Sequence, residues 1–375
     1  MTTPWACTSL VLALLLLAFG WAPSASAAEP VTPAAASRVA FSRLATGLVE
    51  PTSVTSAGGA NLFITERTGR VRVWNPRLGL RPTSWLDLRS VVRSSGGEQG
   101  LLGLSFDPRF AVTGRAYLTY TRADGALVLA LVRTKGVAGG PHVSPILVVP
   151  HPGAANHNGG SLAWRSNAEL LLGTGDGGGA GDGFDNARRP ASRLGKVLIV
   201  EVNKARPTAR VWLSGVRNPW KMSVDSVRRE VLIGDVGQDT FEEVDRVPLR
   251  TVSGDLGWPC REGLSTYDSG RCAGRRMTAP LAVFCHDTVA GCPAGRMAES
   301  IIGGYVYRGR TDAARLAGQY VAGDFVTGNV WTVAPGGAVR TVGSLPQLTS
   351  FGETASKEIV AVTYDGSLWR LRATA

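Results

Sequence analysis

The 375-residue sequence has few charged residues and few histidines. Charged side chains make up 18% of the chain, and the four histidines stand at positions 142, 151, 157 and 286. Low charge together with 44% hydrophobic residues excludes an intrinsically disordered chain. The formal net charge is +11, but the arginines are scattered and form no basic run or DNA-binding motif. The sequence therefore predicts no nucleic-acid partner.

After residue 28 the sequence lacks both helical periodicity and a further apolar run long enough to span a membrane. The one long apolar run, residues 10–22, is followed by Pro23 and by Ala25-Ser26-Ala27, an A-x-A cleavage signal. We therefore predict a signal peptide over residues 1–27, a linker over 28–39 and a secreted protein. An uncleaved anchor is the alternative, because no Lys or Arg precedes the apolar run.

The cysteines lack the C-x-x-C spacing that is typical of zinc sites. Cys7 lies in the predicted signal peptide, and the other four are Cys260, Cys272, Cys285 and Cys292. An even number of cysteines in an exported chain indicates two disulfides. Three pairings can be drawn, of which we expect the nearest-neighbour one, Cys260–Cys272 and Cys285–Cys292.

What the sequence does contain is a repeated strand–turn–strand pattern. Its six copies, each with glycine in the turn, are residues 62–74, 116–132, 170–178, 231–247, 320–333 and 359–371. Six units predict an all-β, six-bladed β-propeller over residues 40–375, rather than a sandwich followed by a second β domain. Residues 254–300, which contain the four cysteines of the mature chain, are predicted to form a disulfide-stapled insertion on one face.

Three polar clusters fall between or at the ends of predicted strands: GGEQGLLGLSFDPRF (96–110), NHNGGSLAWRSNAELLLGTGDGG (156–178) and GVRNPWKMSVDSVRREVLIGDVGQDTFEEV (215–244). In this order they resemble the soluble pyrroloquinoline-quinone-dependent glucose, aldose and sorbosone dehydrogenases, which are six-bladed propellers. The later segments DLGWPCREG (255–263), SIIGGYVYRG (300–309) and FGETASKEIVAVTYDGSLWRL (351–371) look like the branch of hedgehog-interacting-protein-like chains. The resemblance covers about residues 40–371.

The resemblance implies an exported enzyme that oxidises the anomeric carbon of an aldose by hydride transfer to pyrroloquinoline quinone. In that reaction His157 would take the proton of the anomeric hydroxyl, and Asp176 would orient the imidazole. Arg217 would stabilise the charge that forms on the quinone, and Asn218 would hydrogen-bond this cofactor. Glu98 falls where the family has a polar residue facing the substrate. The electron acceptor that reoxidises the cofactor is not defined by the resemblance.

The resemblance also implies a calcium site in GDVGQDTFEE (234–243). The backbone carbonyls of Gly237 and Gln238 and the carboxylate of Glu242 would be its ligands, because calcium prefers hard oxygen donors. The carboxylates left open as alternative ligands are Asp235, Asp239 and Glu243.

The sequence departs from the family where the three carboxylates of the quinone are bound. The family's Lys is absent from AGDFVTGNVW (322–331), and its Arg-x-Arg pair is absent from PQLTSFGETASKEIV (346–360), where Lys357 is the only cation. One hypothesis is a dehydrogenase that uses Arg193, Arg308 or Arg310 instead. The other is a non-catalytic propeller that binds carbohydrate or protein, and a third interpretation is a lactonase-like calcium hydrolase.

Overall fold

A computed structural model describes residues 38–374 of the chain, except residues 137–139, 152 and 275. The predicted signal peptide and the predicted linker up to residue 37 lie outside the described residues. The first strand, β1, spans Arg38–Ala45 and joins the last sheet of the chain.

The first three sheets follow one another along the chain. Sheet 1 contains β2 (Pro51–Ser56), β3 (Leu62–Glu66) and β4 (Arg70–Asn75), with β5 (Gly79–Leu80) and β6 (Leu86–Asp87) paired to β4. Sheet 2 contains β7 (Leu101–Phe106), β8 (Arg115–Thr121), β9 (Leu127–Arg133) and β10 (His142–Val149). Sheet 3 contains β11 (Leu162–Trp164), β12 (Glu169–Thr174), β13 (Lys196–Glu201) and β14 (Thr208–Ser214).

Sheet 4 begins with β15 (Pro219–Asp225), β16 (Glu230–Asp235) and β17 (Phe241–Pro248). The chain then adds β18 (Gly254–Asp255), parallel to β14, and the hairpin of β19 (Arg261–Glu262) and β20 (Ser265–Thr266). It returns as β21 (Ala282–Cys285), the fourth strand of sheet 4. Part of the segment 254–300 is therefore propeller, not insertion.

Sheet 5 contains β22 (Ile301–Val306), β23 (Tyr320–Asp324), β24 (Asn329–Val333) and β25 (Val339–Ser344). Sheet 6 contains β26 (Leu348–Glu353), β27 (Ile359–Thr363) and β28 (Ser367–Thr374), and β1 pairs with β28 as its fourth strand. The helices among the described residues are single turns: α1 (Phe110–Thr113), α2 (Ala313–Leu316) and a 3-10 turn at Ser269–Arg271. None of the helices in this part of the chain has the length and apolar character that a membrane crossing needs.

The six first strands of the sheets contact one another in a closed ring, in the order β2, β7, β11, β15, β22, β26 and back to β2. This arrangement confirms the predicted six-bladed β-propeller. Middle strands are buried on both faces because each sheet packs between two others, as β27 shows with all five of its residues buried. The apolar core accordingly lies between neighbouring sheets, as where Leu171 and Ile199 of sheet 3 pack with Val231 and Ile233 of sheet 4.

Antiparallel pairing sorts the connections onto two faces of the disc. The loop before the first strand of a sheet and the turn after its second strand lie on one face, which we call the front face. The turns after the first and third strands lie on the opposite, back face. Five of the six predicted hairpins are second and third strands joined on the front face. In sheet 3 this connection is instead a loop of residues 175–195 between β12 and β13.

The disulfides are Cys260–Cys272 and Cys285–Cys292, which confirms the nearest-neighbour pairing. The first closes the segment that carries β19 and β20. The second links the end of β21 to the loop that leads to β22.

Candidate active site

His157 is the centre of the polar site on the front face. It lies in the loop before β11, is 3% exposed and has a positive φ of 54°. Its Nδ1 lies 2.7 Å from Oδ1 of Asp176, which follows β12 and is fully buried. This contact fixes the imidazole so that Nε2 is the nitrogen left for a ligand, the arrangement expected of a histidine base oriented by a carboxylate.

The glycines around His157 allow its loop to lie directly against the end of β12. A Cβ on Gly175 would lie 1.8 Å from the carbonyl oxygen of His157, and one on Gly159 would lie 2.7 Å from the Gly175 nitrogen. Gly159 and Gly160 also have positive φ angles of 60° and 89°. The glycines of the Asn-His-Asn-Gly-Gly sequence therefore permit the close backbone contact that places His157 next to Asp176.

Trp258 holds the other oxygen of the Asp176 carboxylate. Its Nε1 donates to Oδ2 at 2.9 Å, and the backbone N–H of Gly178 donates to Oδ1 at 2.9 Å. The indole comes from the segment after β18, two residues before the disulfide at Cys260. Sequence reasoning missed this role, although Trp258 lies in the family-like segment DLGWPCREG.

Glu98 and Asn218 tie three front-face loops together at His157. One carboxylate oxygen of Glu98 accepts from the backbone N–H of His157 at 2.7 Å and from the Asn218 side-chain amide at 3.1 Å. The Asn218 side-chain oxygen accepts from the N–H of Gly159 at 3.2 Å. The predicted residues His157, Asp176, Glu98 and Asn218 thus meet in one site, and Glu98 also anchors the loop.

Arg217 lies beside this group without touching His157. Its backbone carbonyl accepts from the N–H of Asp176 at 2.8 Å. Its guanidinium donates to the carbonyl of Val236 at 2.9 Å and to the side-chain oxygen of Gln238 at 3.1 Å, and it lies 5.5 Å from the centre of the Trp258 ring. Among the described residues it forms no ion pair with a carboxylate, so its charge is available to a ligand.

The loop predicted to bind calcium is built around a different carboxylate. One oxygen of Glu262 accepts from the backbone N–H groups of residues 238–241, at 2.6 to 3.2 Å. The oxygens of Glu242 accept from the backbone N–H groups of Gly237, in the turn before β17, and of Ile301, at the start of β22, and they contact Nε2 of His286. Burial disfavours the positive charge of His286, but the hydrogen bond to Glu242 and the charge of that carboxylate outweigh burial and raise the pKa of His286. Donors thus surround Glu242, which does not fit a calcium ligand.

Two of the alternative ligands meet a third carboxylate in the interior. Oxygens of Asp235, Glu243 and Asp245 lie within 4.8 Å of one another, and all three residues are buried. Asp235 accepts from the N–H groups of Arg217 and Asn218, at 2.9 and 2.6 Å. Neither oxygen of Asp245 has a hydrogen-bond partner among the described residues, and the residue is 0% exposed. Sequence reasoning missed Asp245, and Asp239 is exposed on the surface, outside this cluster.

Burial disfavours the negative charge of all three carboxyl groups. It raises the pKa of Asp235 to about 7. Burial, followed by repulsion from neighbouring carboxylates, raises the pKa values of Glu243 and Asp245 well above their usual range. A cation bound among these oxygens would compensate the negative charges and so remove the free-energy cost of burying them.

The candidate cations for binding the quinone carboxylates lie on both faces of the propeller. Arg308 and Arg310 follow β22, and Lys357 follows β26, so all three lie on the back face, away from His157. Arg308 pairs there with Asp225, and Lys357 with Glu353. Arg193, in the long loop before β13, lies on the front face. Of the proposed replacements, only Arg193 is therefore placed on the side of the site.

The fold and this site define a six-bladed propeller with a carboxylate-oriented histidine on one face. The chain belongs to the glucose/sorbosone dehydrogenase family, whose model matches residues 48–323. The HIPL2 protein of Arabidopsis thaliana is 26% identical over 389 residues, covering 76% of this chain and 54% of that protein. This chain therefore spans about half the length of that relative.

Two further proteins share part of the sequence or the fold. The hedgehog-interacting protein of Mus musculus is 36% identical over 80 residues, which cover 20% of this chain and 11% of that protein. The aldose sugar dehydrogenase of Streptomyces coelicolor, solved in its form bound to pyrroloquinoline quinone, is 20% identical with a TM-score of 0.61. That comparison covers 92% of this chain and 100% of the other, and it establishes the likeness of fold.

Proposed function

We propose that the protein is an exported sugar dehydrogenase-like propeller that binds an aldose at His157 and takes a proton from its anomeric hydroxyl. The observation that carries this proposal is the buried His157–Asp176 contact of 2.7 Å. Membership of the glucose/sorbosone dehydrogenase family supports the sugar as ligand class. The two disulfides support an oxidising, extracytoplasmic location.

The proton step uses groups that this chain supplies. Nε2 of His157 accepts the proton of the sugar hydroxyl, and the Asp176 carboxylate stabilises the imidazolium that forms. Trp258 and the N–H of Gly178 keep this carboxylate in place and compensate its burial. Glu98 holds the His157 loop and, being half-buried, offers its second oxygen to a sugar hydroxyl.

Family membership implies pyrroloquinoline quinone as the hydride acceptor, but the residues present do not fit its three carboxylates. The front-face turns of sheets 5 and 6, residues 325–328, 345–347 and 364–366, contain no Lys or Arg. In sheet 1, Arg67 is already engaged by Glu50 and by backbone carbonyls of residues 94, 96 and 99. We therefore derive no step through the quinone.

This misfit favours a second candidate function, a non-catalytic propeller that binds carbohydrate or protein on its front face. Each carboxylate of a bound quinone needs charge-assisted hydrogen bonds, and each such bond contributes about 1.5–3 kcal/mol. The likeness to the hedgehog-interacting protein, whose name states a protein partner, supports the same candidate.

For calcium, the buried carboxylates fit where Glu242 does not. We propose that Asp235, Glu243 and Asp245 bind calcium behind the Arg217–Asn218 turn, where the unpartnered oxygens of Asp245 supply hard ligands. The ion would fix this turn through Asp235, which accepts from both backbone N–H groups of the turn. Its effect would be on stability and on the position of Arg217.

The deciding experiment is reconstitution of the purified protein with calcium and pyrroloquinoline quinone, followed by assay of aldoses with an artificial electron acceptor. We expect His157→Ala to lower the rate by roughly 10²–10⁴. His142→Ala, a change of an exposed histidine on β10, is the matched control and leaves the rate unchanged. Activity that survives His157→Ala contradicts the base assignment. Sugar binding without any activity or bound quinone supports the non-catalytic candidate.

A further inference from the structure

A separate cavity opens on the front face between the loop before β11 and the long loop of residues 175–195. Its volume is about 640 Å³, which is sufficient for roughly one or two sugar rings. Its polar and aromatic lining residues are His151, Phe184, Asn186, Arg189, Ser192 and Arg193, and neither His157 nor Asp176 lines it.

The cavity carries positive charge with no carboxylate in its lining. Arg189 and Arg193 are exposed, and neither forms an ion pair with a described carboxylate. The Arg189 guanidinium donates a hydrogen bond of 3.0 Å to the side-chain oxygen of Asn186, which is a neutral acceptor. Two guanidinium groups beside an open cavity attract a carboxylate, which can accept paired hydrogen bonds from them.

His151 and Phe184 add two features that suit a sugar ring. Both ring nitrogens of His151 are buried, and neither has a hydrogen-bond partner among the described residues. Burial lowers the pKa of His151, so its imidazole is neutral and carries one donor and one acceptor, which can satisfy a hydroxyl group once the ring turns toward the cavity. Phe184 is 41% exposed and presents an apolar ring to the C–H face of a pyranose.

The long loop of residues 175–195, which carries most of these groups, is held in place by buried hydrogen bonds. The buried ammonium of Lys196 donates to the carbonyls of Asn186, Ala187 and Leu194, at 2.6, 2.9 and 2.8 Å. The carboxylate of Asp182 accepts from the N–H groups of Asn186 and Ala187 at 2.8 and 3.1 Å. A loop held by five hydrogen bonds of this kind loses little freedom when a ligand binds.

We propose that this cavity binds an acidic sugar, a pyranose that carries a carboxylate. Arg189 and Arg193 bind the carboxylate, His151 contacts ring hydroxyls and Phe184 covers the apolar face. The proposal concerns binding and does not depend on oxidation at His157. The cavity and the base nevertheless share one residue, because the Asn186 side chain donates to the backbone carbonyl of Asp176 at 2.8 Å.

Calorimetric titration of the full chain with D-galacturonate and D-galactose tests the proposal, because these sugars differ in the carboxylate. We expect galacturonate to bind about tenfold more tightly at low salt, with the difference shrinking as salt is added. The double variant Arg189→Gln/Arg193→Gln loses this preference. Arg77→Gln, which changes an exposed arginine in the back-face turn between β4 and β5, retains it. The preference also persists in His157→Ala, which separates this site from the proposed base.

Competition with acetate and with pyrroloquinoline quinone distinguishes other sources of carboxylate. Acetate that displaces galacturonate at equal concentration would reveal an unspecific anion site, and tight displacement by the quinone would assign the cavity to the cofactor. Either result overturns the proposal. So does absence of galacturonate binding, equal binding of the two sugars, or an unchanged preference in a double variant whose melting temperature shows that it is folded.

Discussion

Asp245→Asn is expected to stabilise the metal-free protein and to abolish its stabilisation by calcium. In the metal-free protein Asp245 is a fully buried carboxyl group without a hydrogen-bond partner, close to Asp235 and Glu243. A buried charge without compensation destabilises a protein by about 3–5 kcal/mol. Asparagine has nearly the same shape and no charge, so the variant should be more stable than the wild type in chelator.

The same substitution removes a ligand from the calcium-loaded protein. Calcium at 100 times its dissociation constant stabilises the folded state by about 2.7 kcal/mol. For a chain of this size, 1 kcal/mol corresponds to roughly 1.5 °C in melting temperature. We therefore expect Asp245→Asn to raise the melting temperature by about 4 °C in EDTA. Calcium should raise the melting temperature of the wild type by about 4 °C and leave that of the variant unchanged, so the difference between the two proteins disappears in excess calcium.

Differential scanning calorimetry in EDTA and in calcium measures both changes. Asp239→Asn, which alters an exposed carboxylate in the adjacent turn, controls for net charge and should leave the calcium effect intact. If the wild-type rise in melting temperature with calcium persists in Asp245→Asn, the carboxylate cluster is not the calcium site. A lower melting temperature of the variant in EDTA would refute the argument from the uncompensated carboxyl group.

Three further substitutions have expected outcomes. Trp258→Phe leaves a buried oxygen of Asp176 without its donor, which should cost about 1–3 kcal/mol in thermal unfolding and slow proton transfer at unchanged sugar affinity. Burial lowers the pKa of Lys221 to about 7 from 10.5, so the folded state loses stability as the pH falls from 10.5 to 7. Because Lys221→Met removes this titrating group, it should raise the melting temperature more at pH 7 than at pH 10. An equal gain at both values would contradict that reasoning. Gly175→Ala places a methyl group against the His157 carbonyl, so it should reduce activity beyond its effect on stability, and normal activity would show that this contact is not required.

The sequence was sufficient to predict the architecture and the assembly around His157. Strand alternation and glycine-containing turns recur six times, and such local patterns determine which strands pair. The 19-residue interval from His157 to Asp176 could be matched to a family because both residues flank one short pair of strands, β11 and β12.

The sequence was insufficient where contacts depend on distant segments. Trp258 reaches Asp176 across 82 positions, and no local pattern predicts such a partner. Glu242 and Glu243 are adjacent in sequence but point to opposite faces of β17, so the choice between them depends on strand pairing. The cysteines dominate the pattern of the segment 254–300 and predict an insertion, whereas β21 is too short to be recognised.

The pairing of β1 with β28 has a consequence for how the protein is made. The outer strand of sheet 6 comes from residues 38–45, and its partner spans residues 367–374. During synthesis, β1 therefore cannot pair until almost all of the described chain has been translated, and the ring of six sheets stays open until then. An open ring leaves strand edges and apolar faces of sheet 6 and its neighbours exposed. A chain in that state is prone to aggregation until the last strand pairs.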